Sequence, residues 1–263
     1  MMSSTHPIAG HRLVDLSVDI SPDVPCIWPG NPDFKADRLN WYDDEQPYFN
    51  RLLTADEHVG THFDVPAHFI PAPDSGHPDA SPLGLTTDAI DLGRLLAPAA
   101  VIDASPLLGT GEGRVSPKVT RAHVEAWEAE HGALAPGDAA LVHTGWSDRH
   151  YRAFPDGRRY AEAVLSGELA PWPALDREAM AHLANRGVMV FGADTPSAGP
   201  LDDVAAVHVT GLERGMVFVE NLIGLGGLPA RGALFIFLPL KLSGGSGAPG
   251  RAIALVPDAE GPR

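Results

Sequence analysis

Apolar and polar positions alternate with period two along several short stretches of this chain, and in one of them the polar face is chemically unusual. Residues 12–20, R-L-V-D-L-S-V-D-I, predict a strand with Leu13, Asp15, Ser17 and Asp19 on one face. The stretch H-V-G-T-H-F-D-V-P-A-H-F, residues 58–69, alternates in the same way. Its apolar positions are Val59, Phe63, Val65, Ala67 and Phe69, and its polar positions include His58, His62, Asp64 and His68. An ordinary half-buried strand carries Lys, Thr or Glu on its polar face. Here that face carries imidazoles and a carboxylate, the donor types that intermediate divalent metals take up.

Other stretches read as helices and buried strands. Thr120 is placed to cap a helix through residues 122–131, which Gly132 ends, and Asp176 to cap one through 177–186, which Gly187 ends. The apolar runs 99–103, 136–146 and 188–192 read as short buried strands with their turns, and the runs 234–242 and 251–256 close the sheet. Strand and helix alternate, which predicts one α/β domain around a central mixed sheet or partial barrel. Proline, glycine and aspartate mark residues 22–32 and 69–82 as irregular, and the glycine-rich 243–250 as a loop. Residues 147–172 carry arginines and aromatics without a clear period.

Spacing constrains the polar stretch. His62 and Asp64, two apart on a strand, have Cα atoms about 6.6 Å apart and can reach one ion. His58 and His62 would lie about 13 Å apart on a straight strand, so Gly60 must turn the chain back. Pro66 cannot donate to a sheet ladder, so the strand is expected to end there and His68 to lean in from a turn. Phe63 lies on the opposite face and belongs to the core. His77 reads as a surface histidine, and Trp28, set among prolines, as either a packing plug or a flat surface for a ligand.

With 263 residues and 44% hydrophobic content the chain can fill a real core. A net charge of −15 disfavours nucleic acid and anionic membranes, both of which need basic patches. A lone cysteine, Cys26, makes an intrachain disulfide impossible and suits a reducing cytoplasm. The N-terminal residues lack the apolar core of a signal peptide, and no apolar run reaches the ~20 residues of a membrane helix. G-x-S-x-G is absent, and Cys26 has no histidine near it in sequence, so nothing supports a Ser or Cys nucleophile.

The motif H-x-G-T-H-x-D-x-P-x-H, filled by His58, Gly60, Thr61, His62, Asp64, Pro66 and His68, resembles the signature of the metal-dependent cyclase hydrolases, the family of bacterial kynurenine formamidase and isatin hydrolase. The segments P-G-D…T-G-W (136–146), D-T-P-S (194–197) and P-L-K (239–241) are similar to further family segments, so the resemblance covers most of the chain. It implies a swivelling β/β/α-like fold and a site holding one or two zinc or manganese ions. His58, His62 and Asp64 would hold a first metal, with Asp64 and Glu220 bridging to a second on His208. The family's histidine and glutamate twelve residues apart match His208 and Glu220. His68 would be the acid/base, and Trp28 a substrate contact from a segment where Asn31 stands in place of the family's Asp.

The expected activity is hydrolysis of a C–N bond in a small aromatic amide, by opening a cyclic amide or by deformylation, with a metal lowering the pKa of water to about 7. Lactone hydrolysis or polyketide-type cyclisation would use the same site, and a metal-dependent binding protein is the non-catalytic alternative. The resemblance also implies dimers or larger assemblies that place such N-terminal segments at the active site, so a homo-oligomer is expected, a dimer or a dimer of dimers, with an arm of about residues 1–40 against a partner subunit.

Overall fold

The computed structural model describes residues 10–42 and 45–258; the first nine residues of the expected N-terminal arm lie outside them. Twelve strands and five α-helices follow in the order β1 (His11–Asp15), β2 (Lys35–Trp41), β3 (Phe49–Thr54), β4 (His62–Asp64), β5 (Leu96–Asp103), β6 (Lys118–Val119), α1 (Arg121–His131), β7 (Ala139–His143), α2 (Trp146–His150), α3 (Glu162–Leu165), β8 (Ala174–Leu175), α4 (Arg177–Asn185), β9 (Val190–Ala193), α5 (Val204–Leu212), β10 (Val217–Glu220), β11 (Leu234–Pro239) and β12 (Gly247–Pro257). The main sheet runs β1-β12-β11-β5-β7-β9-β10-β4, and β4 pairs back onto β12. Seven strands therefore close into a mixed barrel, with β1 attached outside the ring along β12. Strands β5, β7, β9 and β10 are parallel to one another, while β4, β11 and β12 join antiparallel.

Alternation along the parallel strands divides their side chains between two cores. Ala99, Val101, Leu141, Val217 and Val219 join Phe63, Phe235 and Phe237 inside the ring. Ala100, Ile102, Val142, Phe191 and Phe218 face outward and pack with Val124, Trp127, Met180, Leu183 and Leu212 of α1, α4 and α5. Strands covered on both faces need continuous apolar runs, which is why these read as A-A-V-I and A-A-L-V. A third cluster, built on Cys26, Trp146, Tyr160 and Trp172, supports the proline-rich segment after β1.

The helix signals hold. Asp176 accepts from the Ala179 amide at the start of α4, His123 closes the cap of α1 with Thr120, and Gly132 and Gly187 leave the helices at φ +89° and +81°. Two expectations need correction, and one element was not expected. The first strand stops at Asp15, and only an isolated bridge at Ser17 continues it. The glycine-rich segment is a loop only to Ser246, because Gly247–Pro249 pair with β4 and close the barrel. Residues 35–54 form a hairpin, β2–β3, that the sequence reading did not anticipate. No helix among the described residues is long and apolar enough to cross a membrane.

Candidate metal centre

Glu220 ends β10 directly opposite His62 of β4, and Phe218 stands opposite Asp64. Opposed residues of an antiparallel pair point to the same face, so His62, Asp64 and Glu220 share the outer face while Phe63 and Val219 fill the ring. Gly60 takes φ +62° and brings His58 back over this face. A Cβ there would meet Ile20 Cγ1 at 2.5 Å, so the bend leaves room for glycine alone. Pro66 ends the strand as expected, and His68 sits in the 3-10 turn Pro66–His68. His208 enters from α5, whose ring stacks on Phe69 at 4.7 Å between centroids.

All six residues assigned by resemblance to metal binding or proton transfer are brought together. His58 Nε2 lies 3.4 Å from Asp64 Oδ1, and His62 Nε2 lies 3.5 Å from the same oxygen. His208 Nε2 lies 3.6 Å from Asp64 Oδ2 and 3.1 Å from Glu220 Oε1, and His62 Nε2 is 3.7 Å from Glu220 Oε2. Donor atoms about 3.4 Å apart are what a tetrahedral ion with bonds near 2.1 Å requires. Two buried atoms, His58 Nε2 and Asp64 Oδ1, have no hydrogen-bond partner. Unpartnered buried polar atoms are costly, and both face the point where a cation would sit. The donor set and these two atoms fit a divalent metal.

The far side of each ring is tied down. His62 Nδ1 donates to Gly60 O at 2.8 Å and His208 Nδ1 to Val204 O at 2.8 Å, while His58 Nδ1 faces Asp56 Oδ1 at 3.2 Å. Such bonds fix the tautomer that leaves Nε2 free for a metal. Burial opposes charge on His62 and His208, yet Asp64 and Glu220 outweigh it and lift the two rings to about 8 and about 10. Asp64 is likewise held well below the usual carboxylate range despite its burial, with His68, His208 and His62 around it. In the absence of a cation the site therefore holds protons, and metal binding would displace them.

His68 differs from the others. It is exposed to the pocket, its ring centroid is 4.2 Å from that of His58, and it offers a nitrogen to a cluster with His58 and Asp64. Removal from bulk water lowers its pKa below the ordinary value, and His58 and His208 add to this against Asp64. His77 is half exposed, at 52%, and stands apart from the site in a surface loop.

The site opens into a pocket of 320 Å³ lined by Trp28, Phe69, Tyr160, Ser197 and Asn221 among others. Trp28 meets Trp172 edge to face at 6.2 Å, and Trp172 meets Trp146 at 6.0 Å, so the pocket wall is braced from behind. Several residues here escaped the sequence reading. Tyr160 lies in the aperiodic arginine-rich stretch and donates to Asn221 Oδ1 at 2.7 Å. Asn221 takes φ +57° and donates to Gly60 O at 2.7 Å. Asp56 did leave a signal, since it extends the even-numbered alternation one step before His58.

The Cyclase family model matches residues 14–200. The chain belongs to the Cyclase family. Within it, the chain is similar to the isatin hydrolase of Roseibium aggregatum, with 32% identity covering 94% of this chain and 93% of the relative. It is also similar to the kynurenine formamidase of Salinibacter ruber, with 30% identity covering 92% and 96%. A crystal structure of an isatin hydrolase bound to the product analogue thioisatinate superposes with a TM-score of 0.79 at 27% identity, covering 95% of this chain and 94% of that one.

Proposed function

We propose that this Cyclase-family protein is a metal-dependent hydrolase that opens a neutral cyclic amide fused to an aromatic ring. The observation that carries the reading is the site itself, with three imidazoles and two carboxylates converging and two of their buried atoms unpartnered at the floor of an aromatic pocket. A divalent metal, zinc or manganese and one or two ions, would be held by His58, His62, Asp64, His208 and Glu220, and would supply an acidified water and a polarised carbonyl.

The remaining work falls to the chain's own groups. Hydrolysis of a C–N bond adds a hydroxyl to the acyl carbon and a hydrogen to the nitrogen. His68, exposed on the pocket side and neutral near pH 7, takes the proton from water and returns it to the departing nitrogen. Trp28 and Phe69 offer flat apolar surface for the substrate ring.

The choice between the two relatives' substrates turns on charge. Among the described residues, the pocket lining contains no Lys or Arg. A kynurenine derivative brings an α-ammonium and an α-carboxylate, both of which must be desolvated on entry, whereas an isatin-like ring enters neutral. Metal analysis followed by a panel of isatins, cyclic imides, formamides and lactones tests this. Ring-opening of isatins above the other classes is expected, whereas turnover confined to lactones or to formamides would refute the assignment. Binding without turnover in the metal-loaded protein would point to a binding protein. Cytoplasmic residence, in keeping with the single cysteine, is part of the same proposal and is open to cell fractionation.

A further inference from the structure

One metal-ligand candidate is held by a carboxylate, and that carboxylate is in turn held by the loop that carries Trp28. Asp56 Oδ1 accepts from the His58 backbone amide at 2.8 Å and faces His58 Nδ1 at 3.2 Å. Its other oxygen, Oδ2, accepts from Asn31 Nδ2 at 2.9 Å. The Asn31 amide closes the tight turn Trp28–Pro29–Gly30–Asn31 by donating to Trp28 O at 3.1 Å. Each oxygen of Asp56 thus serves one side of the pocket, and Asn31, Trp28 and His58 all line it. Asp56 is 23% exposed and His58 17%, so the Asp56–His58 end of this chain is largely shielded from water, while its Asn31 end is exposed.

We propose that Asp56 and Asn31 are positioning residues that couple the Trp28 loop to His58, so that metal affinity and substrate binding share one hydrogen-bonded link. The bond to Asp56 places the His58 proton on Nδ1 and turns the Nε2 lone pair toward Asp64, and a carboxylate partner makes that nitrogen a stronger donor. Asn31 holds the carboxylate at the angle this needs. An amide suits the role because it donates. A carboxylate at position 31 would meet Asp56 with no proton between them, and two like charges at that distance repel. The link is reciprocal. Loosening the Trp28 loop releases Asp56 and weakens the metal, and a bound metal, by fixing His58 and Asp56, holds the loop in place to receive substrate.

The inference rests on the reading of His58 as a metal ligand, and its test separates the two. Metal-stripped full-length protein is titrated with Zn²⁺ and Mn²⁺ by chelator competition, and kcat and KM are then measured on the loaded enzyme. Asp56→Ala is expected to weaken metal binding by about 10- to 100-fold while the metal-free protein melts as wild type does. Asn31→Ala, losing one hydrogen bond, is expected to raise KM by about 2- to 10-fold and to weaken the metal in the same sense, with kcat retained once metal is saturating, and Asn31→Asp, which adds a like charge beside Asp56, to shift both further. Wild-type protein that binds neither ion would defeat the metal reading and this link with it. Wild-type protein that binds, beside an Asp56→Ala variant of equal affinity or Asn31 variants with unchanged KM and affinity, would overturn the link alone.

Discussion

His62 and Glu220 face each other across the antiparallel pairing of β4 and β10, with His62 Nε2 3.7 Å from Glu220 Oε2. Residues 158 positions apart in sequence are thereby held by backbone register rather than by loops (220 − 62). A rigid scaffold of this kind limits how far the donors can relax when one is removed. His62→Ala and Asp64→Asn are therefore expected to lose bound metal and activity together. Elemental analysis of the purified variants checks this, and full occupancy in both would remove the site as drawn.

His68 separates from the ligands by position. Its ring is exposed while His62, Asp64, His208 and Glu220 are buried, and a 3-10 turn carries it in place of a strand. His68→Ala is expected to retain metal and to lose on the order of 10²–10⁴ in turnover. Metal loss in this variant would make His68 a ligand. The low pKa of the ring predicts that the acid limb of kcat/KM lies below the ordinary histidine value of about 6.5, and an acid limb above it would contradict the role.

Much of this was legible because the donors are local. His58, Gly60, His62, Asp64, Pro66 and His68 lie within one alternating stretch, so period, a glycine bend and a proline stop were enough to anticipate how the segment folds. Phe63, placed in the core by the same alternation, is fully buried. What could not be read was set by partners distant in the chain. Pairing with β4 decides that Gly247–Pro249 is strand, because Phe63 and its neighbours leave one open edge there. Tyr160 and Asn221 meet across 61 positions, with no periodicity to announce them. The hairpin β2–β3 was missed because proline-rich sequence precedes it and its apolar side chains face outward, against the usual strand pattern.

A different histidine sets an acid limit on stability. His150 is buried at the end of α2 beside Trp146, and burial, with Arg149, Arg159 and Arg152 adding to it, pushes its pKa down to about 4. A folded-state pKa below the unfolded value means that the unfolded chain binds the proton first. Stability attributable to the neutral ring is thus complete above pH 6.5 and declines as pH falls toward 4. Partial access of water to the arginines reduces the effect to about 1–2 kcal/mol. Urea unfolding at pH 7.5 and pH 5 compares wild type with His150→Gln. The variant is expected to lose less stability between the two, and parallel losses would exclude this histidine as the cause.

The hairpin bears on assembly. Leu39, Trp41, Phe49, Leu52 and Leu53 on β2 and β3 are each between 41% and 57% exposed, and the two strands form a sheet separate from the barrel. They lie on both faces of the hairpin, and so many exposed large apolar side chains on one two-stranded element mark an interaction site. We propose that a second copy of the chain covers it, giving a twofold dimer or a dimer of dimers. Light scattering at micromolar concentration is expected to give a multimer, and Leu52→Glu/Leu53→Glu to shift it to monomer. A monomeric wild type would end the proposal.

Trp28 tests the substrate reading most directly. It stands in the pocket wall, braced by an edge-to-face contact with Trp172, and its ring lines the space open to a ligand. One aromatic contact is worth roughly 1.5 kcal/mol, or about 10-fold in binding. Trp28→Ala is therefore expected to lower kcat/KM for an aromatic cyclic amide by about 10-fold or more, with metal content unchanged because Trp28 offers no donor atom to a cation. Trp28→Phe, which keeps a flat ring, should recover most of the loss. If Ala and Phe at this position fell equally, or if neither fell, stacking on Trp28 would not be what holds the substrate. If metal content fell in both, the loop would be acting through His58 rather than on the ring.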